Sequence, residues 1–380
     1  MSLSRLPKII INAANLKKGG ALQVAASFVC EAAKINDIEF YVILGKASSK
    51  VISPSEFEGT KHLKFLTIDI HPAESIFQFF KFRSRLSKIE AKIRPYGVIS
   101  VFGPSYWKPE ALHIVGFARP YIIYENTYFF KVSKHGKKLR FKILNRIHKY
   151  FFRKESSLYW TETIDSRQRL SEKIGKPLDH IVVATNNCSN FFRNANIKPF
   201  PGLPEKKAPR LLYISSYYNH KGFEQIPPIL NKLAERNIEI ELILTIDACN
   251  FERLFAAYPN VINLGQVEPQ YCPYLYEVSD IVFAPTLLEV FSAIYPEAMY
   301  SQKPIVTTDL PFARNICGDA ALYFDPASPE DAASKIQHLL NDPDLRNKLV
   351  AKGLERVGEF DLPEERFRKI LDMLLKSSEY

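Results

Sequence analysis

Short apolar runs alternate with longer amphipathic stretches along most of the chain. Residues 8–13, KIIINA, form a β-branched run that reads as a buried strand. A loop with Gly19-Gly20 follows. After it, Leu22, Ala25 and Val29 recur at the spacing of one helical face. Further strands are expected at 39–44, 63–70, 97–102, 111–117, 158–161 and 180–184, with helices at 74–93 and 165–174. Strands alternating with helices build a parallel sheet covered on both faces. This is an α/β chain.

Residues 197–209, IKPFPGLPEKKAP, interrupt the rhythm with four prolines and a glycine. Such a stretch is a linker, and it divides the chain nearly in half. Strands resume at 211–215, 238–246, 261–265, 280–284 and 304–308, and the tail from Asp325 reads as helices. The expected organisation is a first domain over 1–200, a second over 201–362, and a last helix within 363–380.

The chain has 380 residues, 46% of them hydrophobic, enough for two ordinary cores. No apolar run approaches the length of a membrane span. The start, MSLSRLPKIIINA, lacks the apolar core of a signal peptide. The five cysteines form no CxxC pair, which suits reduced thiols and a cytoplasmic protein.

The net charge of +10 calls for an anionic partner or surface. Much of it lies in 131–154, KVSKHGKKLRFKILNRIHKYFFRK, which contains no acid. Leu139, Ile143, Ile147 and Tyr150 share one helical face, while Lys138, Lys142, Arg146, Lys149 and Arg153 fall largely elsewhere. Two readings fit. The segment docks on an anionic membrane, or it is a core-packed helix with a solvated basic face. Nucleic acid is not an expected partner, since no recognition motif accompanies the charge.

The densest chemistry lies in 285–309, PTLLEVFSAIYPEAMYSQKPIVTTD. It starts where the strand 280–284 stops, crosses a loop carrying Glu289, and enters a helix near Ser292 that carries Glu297. Open α/β sheets bind ligands at the carboxyl ends of their strands, and a helix N-terminus favours anions. A sugar–diphosphate–nucleoside suits such a place, with a carboxylate for the hydroxyls at each end.

This stretch resembles the nucleotide-sugar signature of the family 4 glycosyltransferases. That signature is a Glu, seven residues, then Glu-Ala-Met; here it reads Glu289, VFSAIYP, Glu297-Ala298-Met299. The loop 215–222 resembles the family's phosphate-gripping loop, with Lys221-Gly222 as the identifying pair. Thr185-Asn-Asn187 resembles the family's close of the first domain. The likeness is strong over about 205–345 and fainter over 8–200.

The resemblance implies the GT-B fold: two Rossmann-like domains with parallel sheets facing a central cleft, donor in the second and acceptor in the first. It implies a retaining, metal-independent glycosyltransferase moving a sugar from a nucleotide-diphosphate donor to a saccharide or lipid-linked acceptor. Lipopolysaccharide, capsule or another glycan is the expected product, made on the inner face of the cell membrane. No cofactor is expected. Glu289 would orient the sugar, Glu297 the ribose, and Lys221 with Ser215, Ser216, Phe291, Ser292 and Ala293 the phosphates. Gly19 and Gly20 would form a close-approach loop for acceptor or phosphate; a plain tight turn is the other reading. The final helix would cross back to the first domain.

The chain departs from the family pattern in three places. Ser216 stands where an Arg is common, Ser292 where Gly is usual, and Ala118 where many relatives have a His. These departures motivate the alternative of a non-catalytic GT-B partner docked on the membrane. Asp342-Pro-Asp344 is formally the DxD of another glycosyltransferase fold, but an N-cap followed by proline explains it.

Overall fold

The computed structural model describes residues 6–17, 19–132, 135–193 and 197–377, and their side chains except those of 135–137. Residues 1–5 of the expected first domain, Lys134 of the basic segment and 378–380 of the tail lie outside the described residues. These fall into two compact units. One gathers residues from Met1–Ile123, His135–Asn186 and Asp361–Tyr380; the other gathers those from Tyr124–Lys134 and Asn187–Phe360.

The first unit is built from β1 (Lys8–Ala13), α1 (Gly20–Ala32), β2 (Glu39–Gly45), β3 (Leu63–Ile68), α2 (Ile76–Ile93), β4 (Gly97–Ser100) and β5 (Leu112–Gly116). It continues through α3 (Pro120–Ile123) and, after α4 (Tyr128–Val132) of the other unit, α5 (His135–Glu155), β6 (Leu158–Thr161), α6 (Ile164–Ile174) and β7 (Ile181–Val183). The strands form a seven-stranded parallel sheet in the order β3-β2-β1-β4-β5-β6-β7. Its inner strands are buried on both faces, which is why they read as unbroken apolar runs rather than alternating ones. One face packs on Phe28 of α1 and on Phe367, Ile370 and Leu374; the other packs on Phe82, Leu86 and Ile93 of α2.

The second unit runs β8 (Arg210–Tyr213), α7 (Ile226–Glu235), β9 (Glu241–Leu244), α8 (Ala248–Phe255), β10 (Val261–Asn263), α9 (Cys272–Glu277) and β11 (Ile281–Ala284). Then come α10 (Ile294–Tyr300), β12 (Ile305–Thr308), α11 (Pro311–Cys317), β13 (Ala321–Phe324), α12 (Pro329–Asn341) and α13 (Pro343–Val357). Its six strands are parallel, in the order β10-β9-β8-β11-β12-β13. The connection order reverses between β8 and β11. Ligands of open α/β sheets bind at the carboxyl ends of the strands, at such a switch point.

The last helix, α14 (Pro363–Lys376), lies in the first unit. Phe367 packs edge-on against Phe28, with ring centroids 5.3 Å apart. Thr185 and Asp361 exchange hydrogen bonds, from Thr185 N to Oδ2 at 2.8 Å and from Asp361 N to Oγ1 at 2.6 Å.

Several details differ from the sequence expectations. The units divide after Asn186 and Phe360, ahead of the expected 200 and 362. The strand expected at 238–246 shortens to β9, and β13 was not read from the sequence at all. The helix after Glu289 begins at Ile294, not near Ser292. Asp342 caps α13, accepting from Leu345 N at 2.8 Å, as expected of an N-cap.

Candidate functional site

Strands β8 and β11 pair in parallel, Leu211 beside Ile281 and Leu212 beside Val282. The loops that leave them are therefore neighbours, although they are far apart in sequence. One carries Ser215–Gly222 and the other Pro285–Ala293.

Two hydrogen bonds join the loops, and the backbone around them is held close. His220's carbonyl accepts from Leu287 N at 2.7 Å and from Thr286 Oγ1 at 3.2 Å. Tyr213 is buried at the end of β8 and donates its hydroxyl to the Lys221 carbonyl at 2.7 Å. Gly222 adopts a positive φ of 71°, and a Cβ there would stand 1.9 Å from the Pro285 carbonyl oxygen. Only glycine fits both the backbone angle and the space. From the other side, Thr307 and Thr308 of β12 donate to the Ala284 carbonyl at 2.8 Å and the Thr286 carbonyl at 2.6 Å.

The result is an ion pair between Lys221 Nζ and the Glu289 carboxylate, both groups largely shielded from solvent. Glu297 lies on the first turn of α10 and accepts from Tyr276 Oη at 2.8 Å. Burial pushes its carboxyl up to about 7, against the hydrogen bond from Tyr276 and the charge of Lys221. Burial also pushes the His220 ring down to about 4; Glu289 opposes the shift and Lys221 adds to it. That ring stacks on Tyr218 at 5.5 Å.

The other expected donor residues surround this centre. Ser215 already uses its N–H on Thr245 Oγ1 at 3.1 Å and its hydroxyl on the Ser216 carbonyl at 3.1 Å. Ser216 is exposed and carries no guanidinium where the family pattern has one. Phe291 packs edge-on against Phe360 at 5.6 Å, Ser292 is buried, and Ala293 is the N-cap of α10. α10 is only seven residues long, so its dipole is a minor contributor beside Lys221.

Residues 195–356 match the family model described as "Glycosyl transferases group 1". That stretch is thus similar to the group 1 glycosyl transferases. Glu289, Glu297 and Lys221 all lie inside the matched residues. The O-antigen chain mannosyltransferase B of Escherichia coli is 30% identical over 97 residues, 26% of this chain and 26% of that protein. The alpha-D-kanosaminyltransferase of Streptomyces kanamyceticus is 22% identical over 166 residues, 42% of each. The matches thus span less than half the length of these relatives.

A glycosyltransferase from Rickettsia africae superposes with a TM-score of 0.72 at 18% identity, covering 98% of both chains. HepE of Anabaena, solved with UDP-glucose, superposes with a TM-score of 0.67 at 14% identity, covering 98% of this chain and all of that one. These likenesses show the fold, GT-B with two Rossmann-like domains. The residues matched by the family model lie in its second unit.

The remaining expected residues lie in the first unit. Gly19 has a φ of 74° and is the N-cap of α1, and Gly20 opens that helix. A Cβ on either would meet nothing within 4 Å, so backbone angle alone demands glycine at Gly19. Arg119, next to Ala118, donates from Nε to the Gly103 carbonyl at 3.4 Å. On α5, Lys142, Arg146 and Arg153 are exposed, while Lys138 and Lys149 are half-buried and engaged by other groups. The apolar stripe of α5 faces outward: Leu139 is 62% exposed and Tyr150 59%. Phe152, by contrast, is fully buried. Among the described residues no helix is long and apolar enough to cross a membrane.

Sequence reasoning assigned no role to Tyr213, Tyr276, Thr307 or Thr308. The two threonines close the stretch 285–309 and Tyr213 directly precedes the loop 215–222, but only the fold shows what their hydroxyls hold.

Proposed function

We propose that the protein transfers a sugar from a nucleotide-diphosphate donor to a saccharide or lipid-linked acceptor, with retention of configuration and without a metal. The observation that carries this reading is the Lys221–Glu289 ion pair at the switch point of the unit matched by the family model. Lys221 supplies a compact positive charge for the leaving diphosphate, and preorganised charge of this kind stabilises the transition state. Glu289 is then free to accept from the hydroxyls of the transferred sugar. Glu297, braced by Tyr276, accepts from the ribose hydroxyls. Ser216 and the backbone at Phe291–Ala293 complete the phosphate shell in place of the usual Arg.

The likeness to an O-antigen chain mannosyltransferase supports a glycan acceptor. The outward apolar stripe of α5 beside Lys142 and Arg146 supports docking on an anionic membrane, where lipid-linked acceptors reside.

A panel of nucleotide sugars tests the donor site. The correct one should raise the melting temperature, because a ligand bound only to the native state stabilises it. NMR of the product should then show the donor's anomeric configuration. No stabilisation at millimolar concentration of any nucleotide sugar would sink the proposal. The exposed Ser216 favours a second reading, a non-catalytic partner, for which stabilisation would come without turnover.

A further inference from the structure

We propose that Ile76, Phe77 and Phe80, at the head of α2, form an apolar tip that inserts into an anionic bilayer beside α5. This rests on the membrane-docking reading above and adds a second element to it. The three side chains are 81%, 69% and 61% exposed. They share the first turns of one helix face, while the core face of α2 is supplied by Phe82, Leu86 and Ile93. The tip is therefore surplus to folding. Contiguous exposed apolar groups of this size mark an interaction surface.

The tip is continuous with α5. Phe80 packs on Phe79 at 5.3 Å, Phe79 on Phe151 at 5.7 Å, and Phe151 on Tyr150 at 5.7 Å. Two helices thus present one apolar surface.

Charge selects the occupant. Behind the tip, Lys81, Arg83, Arg85 and Lys88 of α2 are all exposed, and Arg83 lies over the Phe79 ring at 5.4 Å. The nearby acids Glu90 and Glu155 are buried and turned inward, Glu90 to Ala111 N at 2.9 Å and Glu155 to Tyr106 N at 2.7 Å. Glu74 and Glu110, the latter beside Glu90, are exposed. A second copy would set one cationic face against another and be repelled. An anionic lipid surface meets both the charge and the apolar groups.

The test uses the full chain with phosphatidylcholine vesicles and with vesicles containing phosphatidylglycerol. The triple variant Ile76→Ser, Phe77→Ser, Phe80→Ser should melt like wild type, because these residues are exposed. It should bind anionic vesicles about tenfold or more weakly, the order expected from withdrawing one Phe from lipid. A Phe77→Trp variant should blue-shift on anionic vesicles and be quenched by brominated lipid, against the constant background of buried Trp107 and Trp160.

Salt-sensitive binding that is equal in wild type and triple variant, with no shift at Phe77→Trp, would overturn the tip and leave α5 docking intact. No binding of wild type to anionic vesicles would overturn both. A lipid-free blue shift with dimers in light scattering would overturn it in favour of self-association.

Discussion

Lys221 Nζ and the Glu289 carboxylate form an ion pair across two loops that meet because β8 and β11 are adjacent strands. Each charge is partnered while partly withdrawn from water. On the function proposed above, a phosphate arriving at Lys221 would replace one anionic partner by another, so the cation would never be left bare. Glu289 would be released at the same moment, beside the sugar it is proposed to orient.

The two glutamates should separate kinetically. Glu289→Gln should lower kcat by about a hundredfold with little change in KM, since it loses a contact made to the reacting sugar. Glu297→Gln should raise KM for the donor by about tenfold and leave kcat within a few-fold, because ribose contacts are alike in ground and transition states. Steady-state kinetics on both variants check this. Near-wild-type constants in both would contradict the site.

Gly222→Ala should destabilise the protein by about 1–3 kcal/mol, because it strains a left-handed backbone and drives a Cβ into the Pro285 carbonyl. Donor binding should fall with it, as the clash pushes the Lys221 loop away from Glu289. Urea unfolding and donor titration measure the two effects. Unchanged stability would mean that the loops are not locked at this point.

Glu297 predicts a pH dependence. Its folded carboxyl is raised to about 7 from an ordinary 4.5. Below 4.5 both folded and unfolded forms hold the proton, so the group has no effect on stability. Between 4.5 and 7 the unfolded chain ionises first, and stability falls as pH rises, by at most about 3 kcal/mol. Above 7 the contribution is constant. Wild type should thus lose stability relative to Glu297→Gln across that window. Donor affinity should rise over the same window as the carboxylate forms. Parallel stability curves for the two proteins would refute the assignment.

Activity should survive EDTA at full rate, since Lys221 supplies the positive charge that a divalent ion would otherwise bring to the diphosphate. Loss of activity restored by Mg²⁺ or Mn²⁺ would show a metal requirement.

The apolar runs KIIINA and DIVFA, with helical stretches between, determined a parallel α/β architecture without any tertiary information, because strands buried on both faces can hold little else. The spacing of Glu289 and Glu297 and the Lys221-Gly222 pair were likewise legible, since each lies within one short continuous stretch of sequence. Strand order was not. Nothing in the linear chain states that β8 lies beside β11, so the pairing of Lys221 with Glu289, the grip of Tyr213 on the loop and the arrival of Tyr276 at Glu297 were decided by the fold. The direction of the α5 stripe was also settled there. An apolar face at helical spacing reads alike whether it meets a core or solvent, and only the packing of Phe152 inward turned Leu139 and Tyr150 outward.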